Sequence, residues 1–165
     1  MKKATAVWIT IIFISTGVLM YTTMHNIDSI NSAVNFGLDI WDVSIIKNET
    51  GVPEQLQISA VASNPSFFQP LKLESIRGTV YLNGQETNYL RGLKWFSKSL
   101  QPQSQDEISW SYEISSQDLE FLEDAETNGI WNWYFFLSVK LKDSYLESSQ
   151  LDKSQPFGGV NYITK

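Results

Sequence analysis

Hydrophobic and polar positions follow two different rules along this chain. Up to Met24 the apolar residues are contiguous, and no charge interrupts the run from Ala4 to Tyr21. Beyond Ala33 they alternate with polar residues in a period of two, the signature of strands with one wet face. Val34, Phe36, Leu38 and Ile40 share one parity, whereas Trp41, Val43 and Ile45 share the other. One extra residue at Ile40-Trp41 restores the alternation, so a β-bulge or a change of face is expected there.

Four further segments carry the same period. Leu56, Ile58, Ala60 and Ala62 lead to Asn64-Pro65, and Ile76, Val80, Tyr81 and Leu82 lead to Asn83-Gly84. Ile108, Trp110, Tyr112 and Ile114 alternate with Ser109, Ser111, Glu113 and Ser115. The longest face is Trp131, Trp133, Phe135, Leu137, Val139 and Leu141, with Tyr134 and Phe136 opposite, as in a central strand apolar on both faces. Tyr89 to Leu100 reads as a strand pair or a bent strand broken near Gly92. The tail is less regular, with Tyr145, Leu146, Leu151 and Phe157-Gly158-Gly159 as material for a last strand and loop.

Punctuation agrees with this parse. Pro53, Pro65, Pro70, Pro102 and Pro156 fall between the runs, where a missing N–H breaks no ladder. Asn83-Gly84 suits a tight hairpin turn with positive φ. One helix is expected: Ser115 or Ser116 as cap, Asp118 and Glu120 in the first turn, Leu119, Leu122 and Ala125 on one side, and Asn128-Gly129 as the stop. The sum is an all-β chain, an immunoglobulin- or fibronectin III-like β-sandwich of about seven strands with one short helix.

The N-terminal run adds a membrane element. From Ala4 to Met24 it spans about 31 Å at ~1.5 Å per residue, enough for a ~30 Å hydrocarbon core. Trp8 and Tyr21 mark its ends, Lys2 and Lys3 lie before it, and Asn26 and Asp28 follow. Residues 1–25 are thus read as a membrane anchor with its transmembrane helix over about 4–24, residues 26–32 as a linker, and 33–165 as the sandwich. The positive flank puts the N-terminus in the cytoplasm and the domain outside, a single-pass protein of the cell membrane. A cleaved signal peptide is the alternative, with an apolar core over Ala6–Ile14; a pilin-like leader cut near Ala4 lacks the acidic residue that would mark it.

Composition narrows the chemistry. The chain has no cysteine and one histidine, His25, which stands just after the apolar run. Disulfides, thiol chemistry, an acyl anchor on Cys and a Ser-His-Asp triad within the sandwich are thereby excluded. All 18 acidic residues lie from Asp28 onward; of 12 basic ones Lys2 and Lys3 lie before the run, which leaves the domain at −8. Such a surface repels phosphate backbones, so no nucleic acid is expected as a partner. No cofactor and no small-molecule substrate are expected, and the chain is not read as an enzyme; its partners are membrane lipid, through the N-terminal helix, and other proteins.

Candidate sites are few. The acids Asp118, Glu120, Glu123, Asp124 and Glu126 lack calcium-loop spacing and fan around a helix, which reads as a solvated face. Phe67 and Phe68, in the loop between Pro65 and Pro70, either contact a membrane or partner or plug the open end of the sandwich with one ring. Trp131 and Trp133 belong to the longest apolar face and are read as core rather than as a sugar platform. Asn48-Glu49-Thr50 is a glycan acceptor sequon at Asn48.

The order of these signals resembles a known family. Val61-Ala62-Ser63-Asn64-Pro65-Ser66-Phe67, then Pro70-Leu71-Lys72-Leu73, then Gly78-Thr79-Val80-Tyr81-Leu82-Asn83-Gly84 is similar to the group-2 late embryogenesis abundant family, also called the water-stress and hypersensitive-response domain. Leu100-Gln101-Pro102-Gln103-Ser104 before the strand from Ile108 resembles its Pro-containing approach to the next strand. The resemblance runs from roughly Ala33 to Leu151, with the acid-rich Ser116–Thr127 segment as a departure. It implies a fibronectin-like sandwich, often behind a transmembrane segment, and a role in dehydration tolerance without catalysis. Asn64, Pro65, Asn83 and Gly84 are then fold punctuation. The resulting expectation is a membrane-anchored extracytoplasmic sandwich that protects the cell surface in desiccation, or else a structural or accessory subunit docking on a membrane complex or surface layer.

Overall fold

A computed structural model describes residues 2–84, 89–143 and 148–164. Tyr145 and Leu146 of the expected tail lie outside the described residues. The chain order is α1 (Lys2–Val34), β1 (Gly37–Lys47), β2 (Pro53–Asn64), β3 (Leu71–Leu82), β4 (Tyr89–Leu100), β5 (Ser104–Glu113), α2 (Ser116–Asn128), β6 (Asn132–Lys142), β7 (Ser149–Gly158) and β8 (Asn161–Thr164). Two four-stranded sheets form, ordered β5-β2-β1-β8 and β4-β3-β6-β7. All pairings are antiparallel except β1 with β8. The all-β sandwich with an N-terminal helix is thus the observed fold, with eight described strands where about seven were expected.

The inward faces make the core. Leu56, Ile58, Ala60 and Ala62 of β2 meet Trp133, Phe135, Leu137, Val139 and Leu141 of β6 in one buried cluster. Each fully buried Leu, Ile, Val or Phe contributes about 1.5–3 kcal/mol of transfer free energy, so this face dominates the stability. The outer face of β6 is not covered: Phe136 is half exposed, and Tyr134 lies beside it. The sequence reading of β6 as apolar on both faces holds for composition and fails for burial, because no described residue buries Phe136 on that side of the sheet.

The expected bulge is present. Ile40 pairs with Ala60 and Asp42 with Ser59, which leaves Trp41 as the extra residue. Trp41 turns outward, whereas Val43 and Ile45 return to the core. From β7 in the other sheet, the Gln155 side chain accepts from the Ile40 N–H (3.0 Å) and donates to its carbonyl (3.2 Å). One amide therefore serves the bulge's main-chain groups and ties the two sheets.

β4 is one strand, and it is not broken at Gly92. Gly92 faces Gly78 of β3 in the ladder, and Tyr112 from the opposite sheet fills the space between them. A Cβ on Gly92 would fall on the Tyr112 ring. The glycine is there for close approach, not for a turn.

Residues 26–32, expected as a linker, are helical. Helix α1 continues through them to Val34, so the apolar N-terminal run and the sandwich are joined by helix. The reason lies in what the helix packs on. His25, Asp28, Ser29, Ser32 and Ala33 recur at helical spacing and are buried, whereas Ile27, Ile30 and Val34 face outward. A helix whose buried stripe is polar shows none of the usual amphipathic signal.

Candidate functional site

The end of the sandwich at which α1 enters is closed by the loop between Pro65 and Pro70. Asn64, the last residue of β2, is 1% exposed and organises it. Its Nδ2 donates to the carbonyls of Gln69 (2.9 Å), Leu100 (3.0 Å) and Gln101 (3.2 Å), and its Oδ1 accepts the Ser66 N–H at 3.0 Å. The end of β2 is thereby fixed to the end of β4 in the other sheet. Pro65 has no N–H to leave unsatisfied where the ladder stops.

A second clamp comes from the connection to β5. Gln103 has φ +56°, which turns its main chain back toward the loop. Its N–H donates to the Ser66 carbonyl at 3.0 Å, and its Nε2 donates to the carbonyls of Pro65 (2.6 Å) and Ser66 (3.0 Å). The Pro102 segment singled out by the family resemblance is therefore the brace of the Asn-Pro segment.

The third clamp is the helix. The Asp28 carboxylate accepts from the Ser66 hydroxyl (2.5 Å) and from the N–H groups of Phe67 (3.0 Å) and Phe68 (3.2 Å). Ser66 Oγ in turn accepts the Gln69 N–H at 2.7 Å. Burial works to raise the Asp28 pKa, but the Phe67 N–H, the Ser66 hydroxyl, the Phe68 N–H and the nearby His25 outweigh it, leaving it below the ordinary carboxylate value. With its oxygens held by three donors, Asp28 is an anchor point rather than a proton-transfer group.

One turn nearer the N-terminus, His25 Nδ1 lies 2.6 Å from Gln69 Nε2. The His25 ring packs between Tyr21 (centroids 4.1 Å apart) and Phe68 (5.1 Å). Phe67 and Phe68 are 67% and 50% exposed, so neither ring plugs the sandwich end. Asn64 and Ser66 do that instead, through hydrogen bonds. Sequence reasoning found the two phenylalanines and missed His25, Asp28 and Gln103, whose partners are 37 to 44 residues away.

The other sequence-predicted residues lie elsewhere. Asn48 closes the β1–β2 turn: its Oδ1 accepts from the N–H groups of Thr50 and Val52 and from the Thr50 hydroxyl. Asn83 and Gly84 both have positive φ, 55° and 70°. They do not make a two-residue hairpin, because the β3–β4 ladder closes at Tyr81 with Tyr89. Instead the Asn83 side chain donates to the Ile130 carbonyl and accepts the Asn132 N–H, pinning the segment between α2 and β6. In α2, Ser115 is the cap and Asp118 accepts from both its N–H and its hydroxyl. Glu126, from the acidic set, pairs with Lys47 at 3.2 Å, and Lys47 lies over the Tyr162 ring. Trp133 is buried and donates to the Gly159 carbonyl, with Trp131 stacked on it. Both are packing residues.

Comparison with known proteins gives fold likeness. No family model matches the chain, and neither does any curated protein. A crystallographic structural-genomics target superposes with a TM-score of 0.50 at 10% identity, covering 78% of this chain and 88% of its own. The solution structure of a protein provisionally assigned as late embryogenesis abundant has a TM-score of 0.46 at 11% identity, covering 89% of this chain and 87% of that one. A solution structure from Arabidopsis thaliana gives 0.48 at 14% identity, covering 78% and 80%. At these identities the first likeness is one of fold alone, and the other two add no argument to it. The sandwich is thus a known architecture, and function has to be argued from the chain's own geometry.

Proposed function

We propose that this chain is a single-pass membrane protein whose non-catalytic sandwich lies outside the cytoplasm and protects the cell surface during water loss. The observation that carries the reading is the fusion of helix and domain: α1 runs unbroken from Lys2 to Val34, and Asp28 locks it to the Pro65–Pro70 loop. A helix of this length has apolar residues enough to cross a bilayer, and they are not buried in the sandwich. A domain fixed to such a helix stays at the membrane surface in one orientation.

The water-facing surfaces suit a hydrating scaffold. On β5 the outward positions are Gln105, Glu107, Ser109, Ser111 and Glu113, and on β7 they include Gln150, Asp152 and Ser154. The role in desiccation comes from the resemblance of the Asn64-Pro65 and Asn83-Gly84 segments to the late embryogenesis abundant family. The test is preservation of a labile enzyme dried beside the purified full chain in detergent or vesicles. Retention of activity above a matched albumin control is expected; no gain over that control would reject the protective role.

A docking subunit is the second reading, favoured by the bare aromatic side of the second sheet. Tyr81, Tyr134 and Phe136 touch edge-on there, and Trp95 is 67% exposed on the same sheet. Isolation in mild detergent distinguishes the two: a protectant elutes alone, whereas a subunit elutes with a partner in fixed proportion.

A further inference from the structure

We infer that the Phe67-Phe68 loop is a second membrane contact, seated in the interfacial zone of the leaflet from which α1 emerges. The inference rests on the membrane-anchored reading and specifies what the sandwich does there.

The exposed apolar surface of α1 extends through Met20, Tyr21 and Met24. Phe68 touches His25, the next residue, and His25 touches Tyr21. Four residues of helix are about 6 Å, which is comparable to the interfacial layer on either side of a ~30 Å core. If the run up to Met24 fills the hydrocarbon, Phe68 lies at the depth where aromatic belts occur.

The Phe68 main chain is held at Asp28, but its ring lies against His25, one turn closer to the apolar run. The ring therefore reaches toward the bilayer side of its attachment. Phe67 lies tilted beside it at 6.4 Å between centroids, so the two rings form one apolar tip continuous with the helix surface.

A loop entering a dehydrated layer must satisfy its own main-chain donors. Here the Ser66 N–H goes to Asn64, the Phe67 and Phe68 N–H groups to Asp28, and the Gln69 N–H to Ser66 Oγ. The carbonyls of Pro65 and Ser66 go to Gln103, and that of Gln69 to Asn64. These N–H groups and carbonyls are turned inward, and the two phenyl rings are exposed.

The occupant is lipid, since the tip is apolar, uncharged and continuous with a helix long enough to span. A native sequence without cysteine makes the test direct. The full chain is reconstituted in phosphatidylcholine vesicles with one spin label at a time, through Phe67→Cys, Phe68→Cys, Val18→Cys in the helix, or Val52→Cys in the β1–β2 turn. Collision with dissolved oxygen and with a water-soluble nickel chelate is then measured. Labels at 67 and 68 are expected to favour oxygen over nickel several-fold relative to 52, at a shallower depth than 18. If 67 and 68 match 52 while 18 is lipid-embedded, the anchor stands and the loop contact is overturned. Shielding of 67 and 68 from both reagents means protein covers the tip, in a partner or second copy, and also overturns it. An aqueous signal at 18 rejects the anchored reading itself.

Discussion

Removing the Asp28 carboxylate takes an acceptor from three donors at once, two of them main-chain N–H groups. Hydrogen bonds to a charged group contribute about 1.5–3 kcal/mol, so Asp28→Ala should weaken helix docking by about that amount. Detergent-solubilised full chain, followed by thermal unfolding, reads the loss. The same residue sets an acid limit. Its folded pKa lies below the ordinary 3.8, so its contribution is complete above that value and is lost as pH falls through the lower folded one. Stability should therefore be flat at this site from neutral pH down to about 4 and decline below it, and Asp28→Asn should remove that part of the decline. Asn64→Ala leaves the Ser66 N–H and the Leu100 carbonyl without their partner in a buried site, costing about 1–3 kcal/mol. Sequence marked Asn64 through the proline that follows it. Asp28 and Gln103 gave no such mark, because an acid after an apolar run reads as a solvent-facing flank until its distant partners are known.

Elements with local causes were legible, and those with remote causes were not. The Trp41 bulge follows from parity alone, and α2 follows from Ser115, Asp118 and Gly129, all within its own turns. The extension of α1 through residues 25–34 has a tertiary cause: its buried stripe of His25, Asp28, Ser29 and Ser32 is polar, so its pattern matches a linker better than a helix. The continuity of β4 was hidden by Gly92, whose role depends on Tyr112 in the other sheet. That role is testable. Gly92→Ala overpacks the site and should cost about 1–3 kcal/mol. Adding Tyr112→Leu should recover part of the loss in a double-mutant cycle, whereas strictly additive effects would show that the two residues do not share that space. Gln155→Ala should also destabilise, by about 1 kcal/mol, since it leaves the Ile40 bulge groups unbonded.

At the scale of the whole molecule, the fold class and the apolar helix could be read from periodicity, while the manner of their attachment could not. A linker would leave the sandwich free to move relative to the helix; the continuous helix with its Asp28 clamp fixes one end of the sandwich to α1. The Asn64-Pro65 signal thus gains a second meaning, since the loop it opens is also where the helix is gripped. The account depends most on that sandwich standing outside the cytoplasm. A chain without native cysteine allows this to be measured in living cells by Val52→Cys and a membrane-impermeant maleimide. Intact cells should label as fully as lysed ones, and labelling that appears only after lysis would contradict the account.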